Sequence, residues 1–260
     1  MDLSQFSLEG KVALITGGSR GIGEATAIAF ARAGADVALS SRKLPELERV
    51  AESVEKEGRR ALAIEAHVGR IEALQPLVGK VVEGLGGLDI LVNNAGTTHL
   101  APSIDMEERS WDVVMNVDLK GLFFLSQAAA RVMRERGGGN IINISSISGF
   151  KVQVPTGHYS IAKAAVHMAT KVMAVEWADY NIRANCIAPG TIDTRLFNAT
   201  FDPLPEDEGR RQREGVTRMV PMKRIGEPRE IADACVFLAS EASSYMTGQT
   251  FAVDGGILLV

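Results

Sequence analysis

Residues 11–23 read KVALITGGSRGIG, and the alanine-rich run EATAIAFARAG follows at once. The apolar residues up to Thr16 predict a strand, Gly17, Gly21 and Gly23 a turn, and the following run a helix. Glycines at such a junction let the backbone approach a pyrophosphate closely. The helix N-terminus then presents free N–H groups and the positive end of its dipole to the same group. Glycines also end strands for ordinary turn reasons, but three of them between a strand and a helix favour the phosphate-binding reading. The spacing is Gly, three residues, Gly, one residue, Gly, which differs from the GxGxxG fingerprint of larger dinucleotide-binding enzymes.

Outward from this junction, strand and helix patterns alternate. Apolar runs fall near residues 11–16, 36–40, 61–66, 88–92, 139–145, 182–188 and 250–253, with amphipathic stretches of helical length between them. The pattern predicts an α/β chain whose seven-stranded, mostly parallel sheet is covered on both faces. Pro45 and Pro228 stand near first helical positions, and Asp105 followed by Glu108 reads as another helix start. The only long interval without a clear pattern runs from about 191 to 228 and includes FDPLPEDEGRRQREG. It is expected to be an irregular lid or binding loop, or else a solvated excursion.

With 260 residues, 46% of them hydrophobic, the chain can bury one full core, and a single domain over 1–260 is expected. A net charge of −4 with scattered Lys and Arg gives no nucleic-acid footprint. No stretch has the ~18 uninterrupted apolar residues of a membrane span, and the N-terminus lacks a basic region followed by an apolar one. A cytoplasmic protein is expected. Cys186 and Cys235 lie in apolar segments without metal spacing and read as core thiols, and no metal site is predicted.

Tyr159 and Lys163 stand four apart in TGHYSIAKAAVHMATKVMAVEWA, a run that reads as a helix and so places both side chains on one face. A neighbouring ammonium favours the phenolate and is expected to pull the Tyr159 pKa down, making it a proton carrier near neutral pH. Ser146, thirteen residues upstream and just after the run NIINIS, can hold a carbonyl oxygen beside the phenol. Alone, a Tyr–Lys pair is a weak signal.

Five segments in order make it specific: the glycine turn Thr16 to Gly23, Asn93-Asn94-Ala95-Gly96, Ser146, the Tyr159–Lys163 pair, and Pro189-Gly190. On these the chain resembles the short-chain dehydrogenase/reductase family from about Leu8 to Gly256, among members such as 3-oxoacyl reductases and glucose or polyol dehydrogenases. The resemblance implies a Rossmann-type doubly wound fold, a nicotinamide cofactor, and hydride transfer between a carbonyl and an alcohol. Tyr159 is then acid and base, Ser146 holds the oxygen, and Lys163 lowers the Tyr pKa and grips the nicotinamide ribose. Cofactor contacts carry over onto Gly17, Ser19, Arg20, Gly21, Ile22, Gly23, Val68, Asn94, Ala95, Gly96, Pro189, Gly190, Ile192 and Thr194. Interval 191–228 matches the family's variable substrate loop. The helices matching 105–135 and 157–178 pack between subunits in the family, which implies a homodimer or homotetramer.

Two positions depart from the family pattern. Asp118 stands where a catalytic Asn is usual; because the family residue acts through its main-chain carbonyl, the side-chain type need not be decisive, but a carboxylate there is expected to stabilise Lys163 as a cation, or to take a proton itself if buried. His67 stands where an Asp usually meets the adenine amino group, and its imidazole is expected either to accept that bond or to be a rim residue. At the end of the second strand, Ser41 and Arg42 replace the acidic residue of NAD-preferring enzymes. With Arg20, they predict NADP(H) as the preferred cofactor and NAD(H) as a possible one, unless both arginines are surface charges. His99 and His158 are expected in solvated loops, with Thr98, His99, Ser148, Gln153 and Val154 around the substrate. An acyl thioester, polyol, sugar or cyclic ketone substrate fits these residues. A dinucleotide-binding sensor without catalysis is the alternative.

Overall fold

The computed structural model describes residues 3–202 and 204–260. Strands β1 (Val12–Thr16), β2 (Asp36–Ser41), β3 (Ala61–Glu65), β4 (Ile90–Asn93), β5 (Gly139–Ile144), β6 (Ile182–Pro189) and β7 (Thr250–Val253) form one parallel sheet in the order β3-β2-β1-β4-β5-β6-β7. All seven predicted runs are strands, each within two residues of its expected limits. The helices are α1 (Gly21–Arg32), α2 (Leu44–Lys56), α3 (Leu74–Leu85), α4 (Glu108–Met115), α5 (Leu122–Glu135), α6 (Gly157–Glu176), α7 (Arg195–Asn198), α8 (Glu206–Met219) and α9 (Pro228–Ala239).

The period of two along β1 builds two cores. Leu14 faces one side, where Leu77 and Val81 of α3, Leu125 of α5 and Val166 of α6 pack. Ala13 and Ile15 face the other, against Phe30 of α1, Val50 of α2 and Cys235 of α9. Both faces are covered, so β1 is buried at all five positions. Each fully buried large apolar side chain contributes about 1.5–3 kcal/mol. Burial pushes the thiols of Cys186 and Cys235 up to about 11 and about 12, as core cysteines require.

The strand order reverses between β1 and β4, which opens a crevice at their C-terminal ends. The glycine turn, Asn94, Ser146 and Gly190 all lie at or just beyond such ends.

Two expectations are corrected. Interval 191–228 is not wholly irregular: α7 and α8 occupy nearly half of it, and the bridge from Ile192 to Gly226 pins its ends together. The charged run forms a helix because Glu206, Asp207 and Glu208 sit at its N-terminus and Arg218 near its C-terminus, complementing the dipole. Asp105 starts no helix; it ends a short 3-10 turn, and α4 begins after Glu107. Pro45 and Pro228 do stand in first turns, and Glu227 with Glu230 forms a capping box at α9. Among the described residues, no helix is long and apolar enough to cross a membrane, and no cluster of His, Cys, Asp or Glu is arranged to hold a metal.

Candidate active site

The glycine turn is built for close backbone approach. Gly17 has φ 64° and Gly21 φ 58°, where side chains are strained. A Cβ on Gly23 would collide with the Gly17 carbonyl and lie 2.6 Å from Asn94 Nδ2. Asn94 braces this turn: its Nδ2 donates to the carbonyls of Thr16 at 2.9 Å and Gly17 at 3.2 Å. Its amide hydrogens are thus spent on the protein, which leaves its Oδ1 for a cofactor contact. Ala95 N–H and Asn94 N–H both donate to Thr16 Oγ1 at 3.1 Å. Ser19 is buried beside Ile22 and the N-terminus of α1. Thr194 reaches this turn from the start of α7: its Cγ2 stands 3.4 Å from where a Gly21 Cβ would be, and its hydroxyl caps α7 by accepting from Phe197 N–H. The cradle of glycines at a helix N-terminus fits a dinucleotide pyrophosphate.

At the adenosine end, Arg20 is not a free guanidinium. Glu46, missed in the sequence, sits 3.7 Å from Arg20 and 3.1 Å from Lys43, and accepts from Ser19 Oγ at 3.4 Å. The Lys43 bond foremost holds its carboxyl below the usual value. The signal was present in the i, i+3 spacing of Lys43 and Glu46. Arg42 is exposed just past Ser41. Of the two readings of His67, the geometry speaks against acceptance of an adenine amino hydrogen. Its Nδ1 accepts from Gly69 N–H at 3.0 Å. Burial, then the charges of Arg42 and Arg70, lower its pKa and keep it neutral. Its hydrogen therefore sits on Nε2, which offers a donor and not the acceptor an adenine amino group needs. Val68 beside it is buried, with its carbonyl against Gly121.

Tyr159 and Lys163 lie on α6, with the ammonium 5.4 Å from the phenol ring centroid. Lys163 is 3% exposed, and its Nζ donates to Ile144 O at 3.1 Å and pairs with Asp118 Oδ1 at 3.0 Å. Asp118 is fully buried in a π-helical turn, Asn116–Gly121, between α4 and α5. Its Oδ2 accepts from Thr97 N–H at 3.0 Å. The carboxylate thus pairs with the lysine, the arrangement expected of an Asp at this position. Gly96 makes room for it, since a Cβ there would stand 2.9 Å from Asp118 Oδ1.

The charges settle accordingly. Burial works against the Lys163 cation, but Asp118 and Tyr159 together hold its pKa above the usual value. Burial pushes the Asp118 carboxyl up, and Lys163 offsets part of that. The Tyr159 phenol is raised, not lowered: burial dominates, and Asp118 opposes the pull of Lys163. The expected depression of Tyr159 fails because burial outweighs the ammonium, whose pull the Asp118 carboxylate also opposes.

Ser146 follows β5, and its hydroxyl donates to Ser148 Oγ at 3.1 Å, which donates to Gln153 Oε1 at 2.9 Å. Ser146 also interacts with the Tyr159 hydroxyl. Gly190 is tied back by its N–H to Val253 O, and Ile192 is buried in the core, so Ile192 can offer only its backbone to a ligand. His99 is exposed, whereas His158 is buried within α6, not in a solvated loop.

The family model described as enoyl-(acyl carrier protein) reductase matches residues 17–258. The 2-dehydro-3-deoxy-D-gluconate 5-dehydrogenase of Escherichia coli (strain K12) is 42% identical over 259 residues, 99% of each chain. The 3-oxoacyl-[acyl-carrier-protein] reductase FabG of Thermotoga maritima is 38% identical, over 97% of this chain and 99% of its own. A gluconate 5-dehydrogenase from Burkholderia cenocepacia, solved with NADP and tartrate, superposes with a TM-score of 0.92 at 36% identity and 99% coverage of both chains. On its ordered motifs, its sheet and these matches, the chain belongs to the short-chain dehydrogenase/reductase family, NAD(P)-dependent oxidoreductases that act on CH–OH groups.

Proposed function

We propose that the protein interconverts a keto group and a secondary alcohol on a small hydroxylated acid or polyol, with NADP(H) preferred. The polar line Ser146–Ser148–Gln153 beside Tyr159 carries this reading, because it leaves the Gln153 amide hydrogens for a substrate hydroxyl or carboxylate. The gluconate-type relatives and the tartrate-containing structure support it. A 3-oxoacyl thioester is the second reading, favoured by the acyl-carrier reductase relative. Turnover with NADPH against keto sugar acids, polyols, cyclic ketones and oxoacyl thioesters decides: the highest kcat/KM on a keto sugar acid or polyol supports the first reading, and on a thioester the second.

In this reading, bound nicotinamide supplies or accepts the hydride. Tyr159 gives its proton to the carbonyl oxygen during reduction and takes it back during oxidation. Ser146 turns its one hydroxyl hydrogen from Ser148 Oγ to that oxygen and fixes its direction. Lys163, anchored by Asp118 and Ile144 O, holds positive charge near the phenol and the ribose. Gly17 to Gly23 receive the pyrophosphate, with Ala95 and Gly96 lining the crevice and Pro189, Gly190, Ile192 and Thr194 closing the nicotinamide end. Interval 191–228 acts as the substrate lid. Ile161, Met168, Val172 and Val175 form an exposed apolar stripe on α6 at helical spacing, which suits a homodimer or homotetramer face. A cytoplasmic setting completes the reading.

Cofactor preference rests on Ser41, Arg20, Arg42 and Lys43 around a 2′-phosphate, which would compete with the Glu46 carboxylate for Arg20 and Lys43. Wild type is expected to favour NADPH by at least ~10-fold in kcat/KM, since each charge-assisted bond is worth ~1.5 kcal/mol or more. Ser41→Asp with Arg42→Ala reverses the order. Added salt weakens NADPH binding more than NADH binding, because the distinguishing contacts are exposed ion pairs. Equal efficiency with both cofactors and no differential salt effect would mean the arginines are surface charges.

A further inference from the structure

His158 is a buried titratable group to which the chemistry above gives no task. Its side chain is 1% exposed, and neither ring nitrogen has a hydrogen-bond partner. A buried donor or acceptor left unsatisfied costs about 1–3 kcal/mol. An imidazole that bonds nothing is no strut, and orphaned buried groups of this kind mark bound water or proton chemistry. Thr98 Oγ1 is orphaned in the same way, and Asp118 Oδ1 meets only the Lys163 ammonium.

These groups belong to one place. Thr97, adjacent to Thr98, donates its N–H to Asp118 Oδ2 at 3.0 Å. Ala101 donates to Pro155 O at 2.9 Å and bridges to Thr156, which precedes α6. The segment from Thr97 to Ala101 therefore runs from Asp118 to the His158 end of α6, with exposed His99 in its middle. His158 responds to both sides. Burial holds its pKa below the usual value, His99 lowers it further, and Asp118 pulls it up. The neutral ring has one donor and one acceptor nitrogen, so it can take a proton on one side and release one from the other.

The reaction needs such a group. Each carbonyl reduction consumes one proton, which passes from Tyr159 to the substrate oxygen and has to be replaced from solvent. Lys163 and Asp118 are 3% and 0% exposed, so neither meets solvent directly. We propose that His158 carries this proton between His99 at the surface and the buried Asp118–Lys163 pair. In reduction, one nitrogen of His158 accepts a proton from the His99 side and the other releases one toward the Asp118 carboxylate, each through a bridging water, because neither nitrogen touches either group. Asp118 passes a proton to Lys163, which has given its own to the Tyr159 phenolate. One proton enters for each one consumed, and no electrons move. Oxidation runs the same path outward.

The test uses His158→Gln, which keeps polarity without shuttling, and His158→Ala, which opens space for free imidazole. At saturating substrate and NADPH, both variants should lose at least ~10-fold in kcat with each KM within about twofold of wild type. The solvent deuterium isotope effect on kcat should rise, and added imidazole should restore the Ala variant but not Tyr159→Phe. A folded Gln variant with kcat and solvent isotope effect both unchanged would overturn the proposal. A second arm needs no turnover. In the cofactor-free protein, NMR titration of the His158 ring should show its pKa falling in Asp118→Asn, and no change there would also overturn it. A wild type with no turnover on any carbonyl would instead strike the oxidoreductase reading, which the NMR arm leaves separate.

Discussion

Tyr159→Phe is expected to cut kcat/KM by at least ~100-fold while NADPH affinity stays within about twofold of wild type. The phenyl ring preserves the packing on α6, and only the O–H that exchanges the proton is lost. Because burial raises the Tyr159 pKa and Asp118 screens the pull of Lys163, the phenol is protonated at neutral pH. Protonated Tyr159 is the form that reduction needs, so reduction should hold its rate through neutral pH and fall as pH rises through the Tyr159 value. Oxidation needs the phenolate and should rise over that same range. Steady-state rates in both directions, with cofactor titration of the Phe variant, check this. More than a tenth of wild-type turnover retained in a chemistry-limited assay would remove Tyr159 from its role.

Lys163→Met should both abolish turnover and destabilise the fold. Removing one member of a buried ion pair strands the other, at a cost of about 3–5 kcal/mol. Here the stranded group is Asp118, 0% exposed. Burial already raises its pKa in the folded chain. Without Lys163 the folded state binds that proton more tightly than the unfolded chain does, so the stability loss grows as pH rises above the ordinary carboxylate value and shrinks below it. Adding Asp118→Asn to Lys163→Met should restore most of the stability, because the amide is uncharged and can still accept from Thr97 N–H. It should restore none of the activity. Chemical denaturation of the single and double variants at two pH values reads the first effect and turnover the second. Equal stability of the single and double variants would contradict the buried pair.

Much of this architecture is legible in the chain itself because local pattern and tertiary role agree. Each strand is an apolar run, and the turn at Gly17 to Gly23 declares itself through three glycines whose missing side chains the close packing requires. The spacing of Tyr159 and Lys163 likewise survives as a shared helix face. What stays illegible depends on contacts distant in sequence. Asp118 stands out as unusual and its charge points to Lys163, but that partner lies forty-five residues away, and only the fold shows the ion pair to be direct and buried. Glu46 reads as an ordinary helix acid until Arg20, Ser19 and Lys43 converge on it. His67 has its acceptor nitrogen used by a turn two residues on, which residue type alone does not disclose. The helix at Glu206–Met219 was hidden because it buries almost nothing: Gly209 is its one buried residue, so it carries no apolar face for a periodicity to show.

Hydride transfer to a carbonyl carbon, with the proton delivered by Tyr159, is read out by turnover with NADPH deuterated at the nicotinamide C4 position, using the best substrate of the carbonyl panel. Deuterium is expected on the former carbonyl carbon of the product when the transferred face is labelled. A primary isotope effect on kcat/KM is expected as well, with loss of both turnover and label transfer in Tyr159→Phe. A product without deuterium from either labelled face, or unchanged label transfer at undiminished rate in Tyr159→Phe, would contradict this chemistry.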